Sequence, residues 1–315
     1  MSITVVLEQM IIIMILILTG IFLYQRKMLS EDTSRQLSGL IVNVTNPALL
    51  ICSAFDDTAK VSLRELGIGT CVFIISYAVL ILSAYMIPWI LRISNNARYS
   101  YRMLTIFGNV GFIGIPLASA VLGSGALIFV SLSNLIYNIL VYTYGLSILK
   151  KASKEQGSYQ ESASPEGILQ KLINPGTVSA VLTIFFYLGN FKVPAIISST
   201  LTYAGRTTTF LSMLVLGVSV AQMAPKDIFS HPLLYAFTLI RQILLPIGFT
   251  LILGLFLEEP FILNTAALML SVPAGNMPLM LSKQLHVDES TISQGIILTT
   301  ILSLITIPLV TLFIA

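Results

Sequence analysis

Long apolar runs separated by short polar breaks recur along the whole chain. They predict ten helical segments, at about 3–24, 35–55, 66–91, 101–121, 125–149, 168–188, 206–223, 232–257, 261–282 and 290–314. Many of the runs exceed the roughly 18 residues that mark a candidate membrane-spanning helix. The stretch FKVPAIISSTLTYAG before the seventh segment is only weakly apolar and reads as an amphipathic interfacial helix. Two segments are interrupted. The fourth contains FGNVGFIGIP, Phe107 to Pro116, and the ninth contains SVPAGNMP, Ser271 to Pro278.

The stretch 150–167, KKASKEQGSYQESASPEG, has linker composition, with almost nothing to bury. It divides the chain into a first half, 1–149, and a second half, 168–315, with five segments in each. An odd number of spans per half turns the halves in opposite directions, as in an inverted repeat. Each broken segment is the fourth of its half. A break inside the hydrocarbon is tolerated only where protein or a wet cavity satisfies the freed backbone groups. Two breaks at matching positions are the best pointer in a sequence to a transporter binding site.

Composition agrees with the pattern. The 315 residues are 56% hydrophobic and 10% charged, with a mean hydropathy of +0.91. Soluble domains carry about 25% charged residues, so the chain reads as an all-α, multi-pass membrane protein. The first run has no basic residue before it and no small-residue cleavage site after it, so it is not read as a secretory signal. Cys52 and Cys71 read as small buried hydrophobes, and with His231 and His286 they form no metal-ligand spacing. There is no Walker A motif. No nucleophile–base pair stands out within the spans, so an enzyme is not expected. No cofactor and no nucleic-acid partner is expected either.

Charge sets an orientation. One set of loops carries Arg26, Lys27, Arg35, Arg92, Arg98, Arg102, Lys150, Lys151, Lys154, Lys171, Lys226 and Lys283. The other carries only Lys60, Arg64, Lys192 and Arg206. The positive-inside rule places the first set, with the linker, in the cytoplasm and both termini outside the cell or inner membrane.

The candidate chemistry gathers at the breaks. Asn109 and Asn276 each follow a glycine, Gly108 and Gly275, at points where half-helix N-termini favour an anion. A carboxamide there can donate to a carboxylate or accept from a hydroxyl, or it can simply tie down its own broken backbone. Pro116, Pro273 and Pro278 remove donors and break helices, and the glycines permit close backbone approach. Asn46 and Pro47 interrupt the second span, with Asn43 expected on the same helical face. Arg241 is the only basic residue deep in a span, which makes it a candidate for a substrate contact or for capping a broken helix. Asn134 and Asn138, with Tyr137 beside them, either line the site or join helices. Glu8 is expected at an outer end, and Asp56 and Asp57 in an outer loop. No deep carboxylate for an ion relay is found in the spans.

NPALLICSAF, GNVGFIGIPLASAVLG, INPGTVSAVLTIFF, VPAIISSTLTYAGRTTTFLSMLVLGVSVAQ and SVPAGNMPLMLSKQLHVDESTISQGIILTTILSLITIPLV occur in this order. Together they resemble the auxin efflux carrier family, over nearly the whole chain. The resemblance implies ten helices in a five-plus-five inverted repeat, the fold also of bile-acid sodium symporters. Spans 1, 2, 6 and 7 would form a scaffold and homodimer surface. Spans 3–5 and 8–10 would form a transport domain moving as an elevator. The substrate would be a small organic anion, with Asn109 and Asn276 at the crossing and Asn134 on a substrate-facing position. The chain departs from plant members in its short linker, which points to a bacterial-type member. It also reads Gly-Asn-Met-Pro where they read Gly-Ile-Val-Pro. Sodium- or proton-coupled symport, or a channel, are the alternative readings.

Overall fold

The protein is seen here in a computed structural model, which describes residues 3–55, 61–155, 172–189, 191, 193–222, 232–285, 287 and 289–314. Most of the expected linker, Asp56, Asp57, Lys60, Lys171, Lys192, Lys226, His231 and His286 lie outside the described residues. Among the described residues the chain is helical. Its elements are α1 (Ile3–Gln25), α2 (Glu31–Ser53), α3 (Leu63–Ile90), α4 (Arg98–Ile106), α5 (Val110–Leu122), α6 (Gly125–Glu155), α7 (Pro175–Gly189), α8 (Ala195–Ala221), α9 (Pro232–Gly254), α10 (Pro260–Ser271), α11 (Met277–Gln284) and α12 (Glu289–Ile314). Six of these, α2, α3, α6, α8, α9 and most of α12, are long and apolar enough to cross a membrane. Shorter apolar helices at 11–25, 110–122, 175–189 and 260–271 fall on the first, fourth, sixth and ninth expected segments.

Four helices contain one widened, π-type turn: Ile41–Thr45, Val110–Gly114, Val141–Gly145 and Ile240–Leu244. Three of them end one residue before Asn46-Pro47, Ile115-Pro116 and Leu245-Pro246. A proline inside a helix lacks the donor for the regular bond and its ring clashes with the carbonyl four residues back. Widening the preceding turn makes room for the ring, and the N–H of the residue before each proline then bonds five residues back, to Ile41, Val110 and Ile240.

The stretch expected as a separate interfacial helix is instead the first turns of α8, which runs unbroken from Ala195. No proline follows Pro194 in it, and Gly205 is buried against Leu49, so packing carries the helix through its least apolar part. Helices α1 and α8 cross where a Cβ on Gly20 would stand 3.1 Å from the Gly217 Cα. Small residues at such a crossing let two backbones approach. Helix α8 also packs along α2, and α7 lies against α2 and α6. Helix α3 packs on α4 and α6, and α10 on α9 and α12. Phe73, Phe107, Phe129 and Phe237 fill the interior, while Leu82, Trp89 and Leu251 point outward. No disulfide joins the cysteines. Cys52 is half-buried, and Cys71 is exposed rather than buried as expected.

Candidate functional site

The two interrupted segments meet. Helix α4 stops at Ile106, and the chain leaves helical geometry at Phe107 (φ −102, ψ 86) and Asn109 (φ −82, ψ 67) before α5 begins. Helix α10 stops at Ser271, followed by extended Val272 (φ −59, ψ 146). The helices therefore part at 107–109 and 272–276. Pro116 sits beyond its gap, in the first turn after the wide turn of α5, while Pro273 lies within the other gap. The two gaps pair as a short antiparallel bridge between Gly108 and Ala274. Asn109 N–H donates to the Pro273 carbonyl at 2.7 Å, and Gly275 N–H to the Phe107 carbonyl at 2.9 Å. Ala274 N–H donates to Thr299 Oγ1 at 3.2 Å. Groups released by each break are thus satisfied by the other break and by α12, as buried backbone requires. A Cβ on Gly275 would stand 2.8 Å from the Gly108 oxygen, so the bridge needs glycine there.

Four helix ends converge on this bridge. The C-terminal ends of α4 and α10 are taken by Arg241, which is only 2% exposed. Its Nε donates to the Thr105 carbonyl at 2.6 Å and its guanidinium also to the Leu270 carbonyl. A cation on two C-terminal carbonyls complements both dipoles at once. Of the two readings open in the sequence, the geometry gives Arg241 to helix capping, and it lines none of the described cavities. Beside it, Gln242 donates to the Thr299 carbonyl at 3.0 Å and accepts from Thr306 Oγ1 at 3.1 Å. These contacts tie α9 to α12 under the second break. Sequence reasoning passed over Gln242, although an amide next to a deep arginine was a readable signal.

The N-terminal ends carry the asparagines. Asn109 Oδ1 accepts from Phe112 N–H at 3.1 Å, capping α5, and Asn276 immediately precedes α11. Both line a single cleft of about 340 Å³. Its other walls are Glu31, Ser34, Arg35 and Ser38 of α2, Phe112, and Ser212, Val215, Leu216, Ser219 and Gln222 at the end of α8. Asn109 is 9% exposed and Asn276 is open to the cleft. The Ser212 hydroxyl is buried without a partner. The α2 and α8 residues were missed in the sequence because they sit on ordinary spans and only the fold faces them toward the crossing.

The remaining candidates do not line the cleft. Asn46 is buried and reaches the crossing from α2, donating to the Gly111 carbonyl at 2.8 Å, while its own Oδ1 has no partner. Asn43 does not share its face: it is exposed and donates to Gly39 within α2. The wide turn between them shifts the helical register. Asn134 donates to the Gly176 carbonyl of α7 at 3.0 Å. Asn138 donates to the Asn134 carbonyl at 2.8 Å and accepts from Asn174 at 3.1 Å. This is a polar chain between α6 and the start of α7, apart from the cleft. Tyr137 is buried edge-on to Phe107 (5.8 Å, 84°) and supports the break from below.

The sequence matches the model of a family described as membrane transport protein over residues 5–311. The chain belongs to that family. This is the auxin-efflux-type family that its motifs resemble. Two relatives span nearly the same length. The "uncharacterized transporter MJ1031" of Methanocaldococcus jannaschii is 23% identical over 96% of this chain and 97% of its own. The "uncharacterized transporter YfdV" of Escherichia coli strain K12 is 22% identical over 84% of this chain and 82% of its own. As a member of this family the chain is a multi-pass membrane transport protein.

Proposed function

We propose that the protein is a secondary transporter of small organic carboxylates, bound where α4–α5 crosses α10–α11. One observation carries this reading. The cap positions of two half-helix N-termini, Asn109 and Asn276, open into one polar cleft, while Arg241 occupies the two C-terminal ends. Oriented N–H groups and amide donors at helix N-termini bind carboxylates. The cleft, at about 340 Å³, is within the size range of sites for small ligands.

In this reading the ten spans form a five-plus-five inverted repeat. Helices α1, α2, α7 and α8 are a scaffold that also serves as a homodimer surface. Helices α3–α6 and α9–α12 carry the site past it. Side-chain hydrogen bonds at this seam include Asn46 to Gly111, Asn134 to Gly176 and Asn174 to Asn138. Each neutral bond is worth only about 0.5–1.5 kcal/mol, so a sliding motion can break them singly. The cleft opens beside Glu31, Arg35 and Gln222, on the side that the basic loops assign to the cytoplasm. Both termini then lie outside, and the cleft faces inward.

The test is solid-supported-membrane recording on reconstituted protein against mono- and dicarboxylates, with sodium or choline, beside binding measurements. We expect carboxylate-induced currents in choline, and a ten- to hundred-fold loss of affinity in Asn109→Ala and Asn276→Ala. That range follows from about 1.5–3 kcal/mol for a hydrogen bond to a charged group. Unchanged affinity in both variants, or currents that vanish without sodium, would overturn the reading.

A further inference from the structure

A second polar cavity lies at the other end of α4 from the crossing, where three helix ends meet. It measures about 230 Å³ and is lined by Tyr85 of α3, Arg98, Tyr99 and Arg102 of α4, and Tyr144, Ser147 and Lys151 of α6. Its charges do not balance. Glu155, the carboxylate at this corner, is engaged by Arg98 Nη2 at 2.9 Å and by the Tyr99 hydroxyl at 2.6 Å. Lys151, one helical turn from Glu155, feels the same charge but is exposed. Arg102 has no carboxylate within ion-pair distance among the described residues. Its guanidinium lies 4.1 Å over the Tyr85 ring and 5.2 Å from that of Tyr99, and its Nε is buried with no hydrogen-bond partner. Three cations therefore stand beside one carboxylate, and the guanidinium of Arg102 is left without an ion-pair partner among the described residues. The Tyr85 and Tyr144 hydroxyls bond each other at 2.7 Å, which leaves one of their two protons to donate elsewhere, while Ser147 Oγ donates to the Tyr144 carbonyl at 2.6 Å.

The residues beside the cavity bear on what it holds. Trp89, 79% exposed, and Tyr85, 45% exposed, stand one turn apart on the last turns of α3. Between and before them Met86 and Leu82 also face outward. Aromatic residues at the end of a lipid-facing span sit at the headgroup level. Basic pockets between helices at that level bind lipid phosphates. We infer that this cavity holds the phosphate of an anionic phospholipid, with Arg102 and Lys151 as its counter-charges and the remaining hydroxyl proton of the Tyr85–Tyr144 pair as a further donor. The inference is independent of the substrate assigned to the crossing.

Native mass spectrometry and fluorescence titration of detergent-purified protein would test it, using phosphatidylglycerol, phosphatidylcholine and inorganic phosphate as probes. We expect phosphatidylglycerol to bind the wild type at least ten-fold more tightly than Arg102→Gln/Lys151→Gln. Phosphatidylcholine should bind both forms equally weakly, and millimolar inorganic phosphate should not displace the lipid. Lys151→Gln alone changes an exposed side chain, leaves folding intact and should give an intermediate loss. Equal phosphatidylglycerol binding by wild type and the variants would overturn the site. Displacement by inorganic phosphate at the lipid's own affinity would overturn the lipid as its ligand.

Discussion

Alanine at Gly275 tests the crossing with a single methyl group. No positive φ is found at this glycine, so its backbone conformation accepts any L-residue and only space opposes the substitution. The added Cβ would meet the Gly108 oxygen at 2.8 Å, its carbon at 3.1 Å and the Asn109 Cα at 3.3 Å. All three are backbone atoms of the other broken segment, so no rotamer change can relieve the contact. Restoring ordinary separation means moving the gaps apart by about half an ångström, against hydrogen bonds of 2.7 and 2.9 Å on either side. Overpacking of this kind costs about 1–3 kcal/mol. If ligand binding needs the closed bridge, the same energy appears as a five- to hundred-fold weaker affinity. Gly248→Ala is the control, because its Cβ would meet nothing within 4 Å and it lies in a helix interior. There alanine is favoured by about 1 kcal/mol. Thermal denaturation in detergent and carboxylate binding should both place Gly275→Ala well below Gly248→Ala. Equal stability and equal affinity for the two variants would refute a bridge closed by glycine.

Arg241→Met leaves two buried helix-end carbonyls unpaired, at about 1–3 kcal/mol each, and should lower the apparent melting temperature. Arg241→Lys should recover only part of the loss, because an ammonium lacks the planar fork. A stable Arg241→Met protein that had lost only ligand affinity would return Arg241 to the substrate. Asn138→Leu cuts the chain from Asn134 to Asn174. It should speed hydrogen exchange at 172–180 and alter turnover while leaving binding affinity within about two-fold. A loss of affinity as large as that of Asn109→Ala would place the α6 asparagines in the binding site instead.

Paired interruptions were legible because proline and glycine punctuate an apolar segment more strongly than anything else in this composition. Asn109 and Asn276 were legible with them. What the sequence could not supply was direction. Arg241 stood out as a deep charge, but its lack of a deep carboxylate partner left substrate and helix carbonyls equally open, and only the fold brings Thr105 and Leu270 to it. Asn134 illustrates the converse. Its amide character was visible, yet its partner is a backbone carbonyl 42 residues away on another helix. Asn43 and Asn46 misled for a local reason, since a regular helix would align them and the turn widened for Pro47 does not.

The arrangement of helix ends bears on why a crossing without a deep acidic residue can still be selective. Two C-terminal and two N-terminal ends converge, and unshielded they would cancel. Each end is equivalent to about half an elementary charge. Arg241 lies on the C-terminal pair and offsets their combined charge of about one unit. That leaves about one positive unit on the N-terminal pair, presented through Asn109 and Asn276 to the cleft. A buried arginine that never touches the ligand would thus set the sign of the site. A carboxylate would meet a fixed positive potential there. A bound metal ion would instead face two N-terminal ends, and the cleft's carboxylate, Glu31, is paired with Arg35 at 3.4 Å. The proposed preference for anions therefore rests on which ends Arg241 covers, and the melting and binding of Arg241→Met measure that coverage directly.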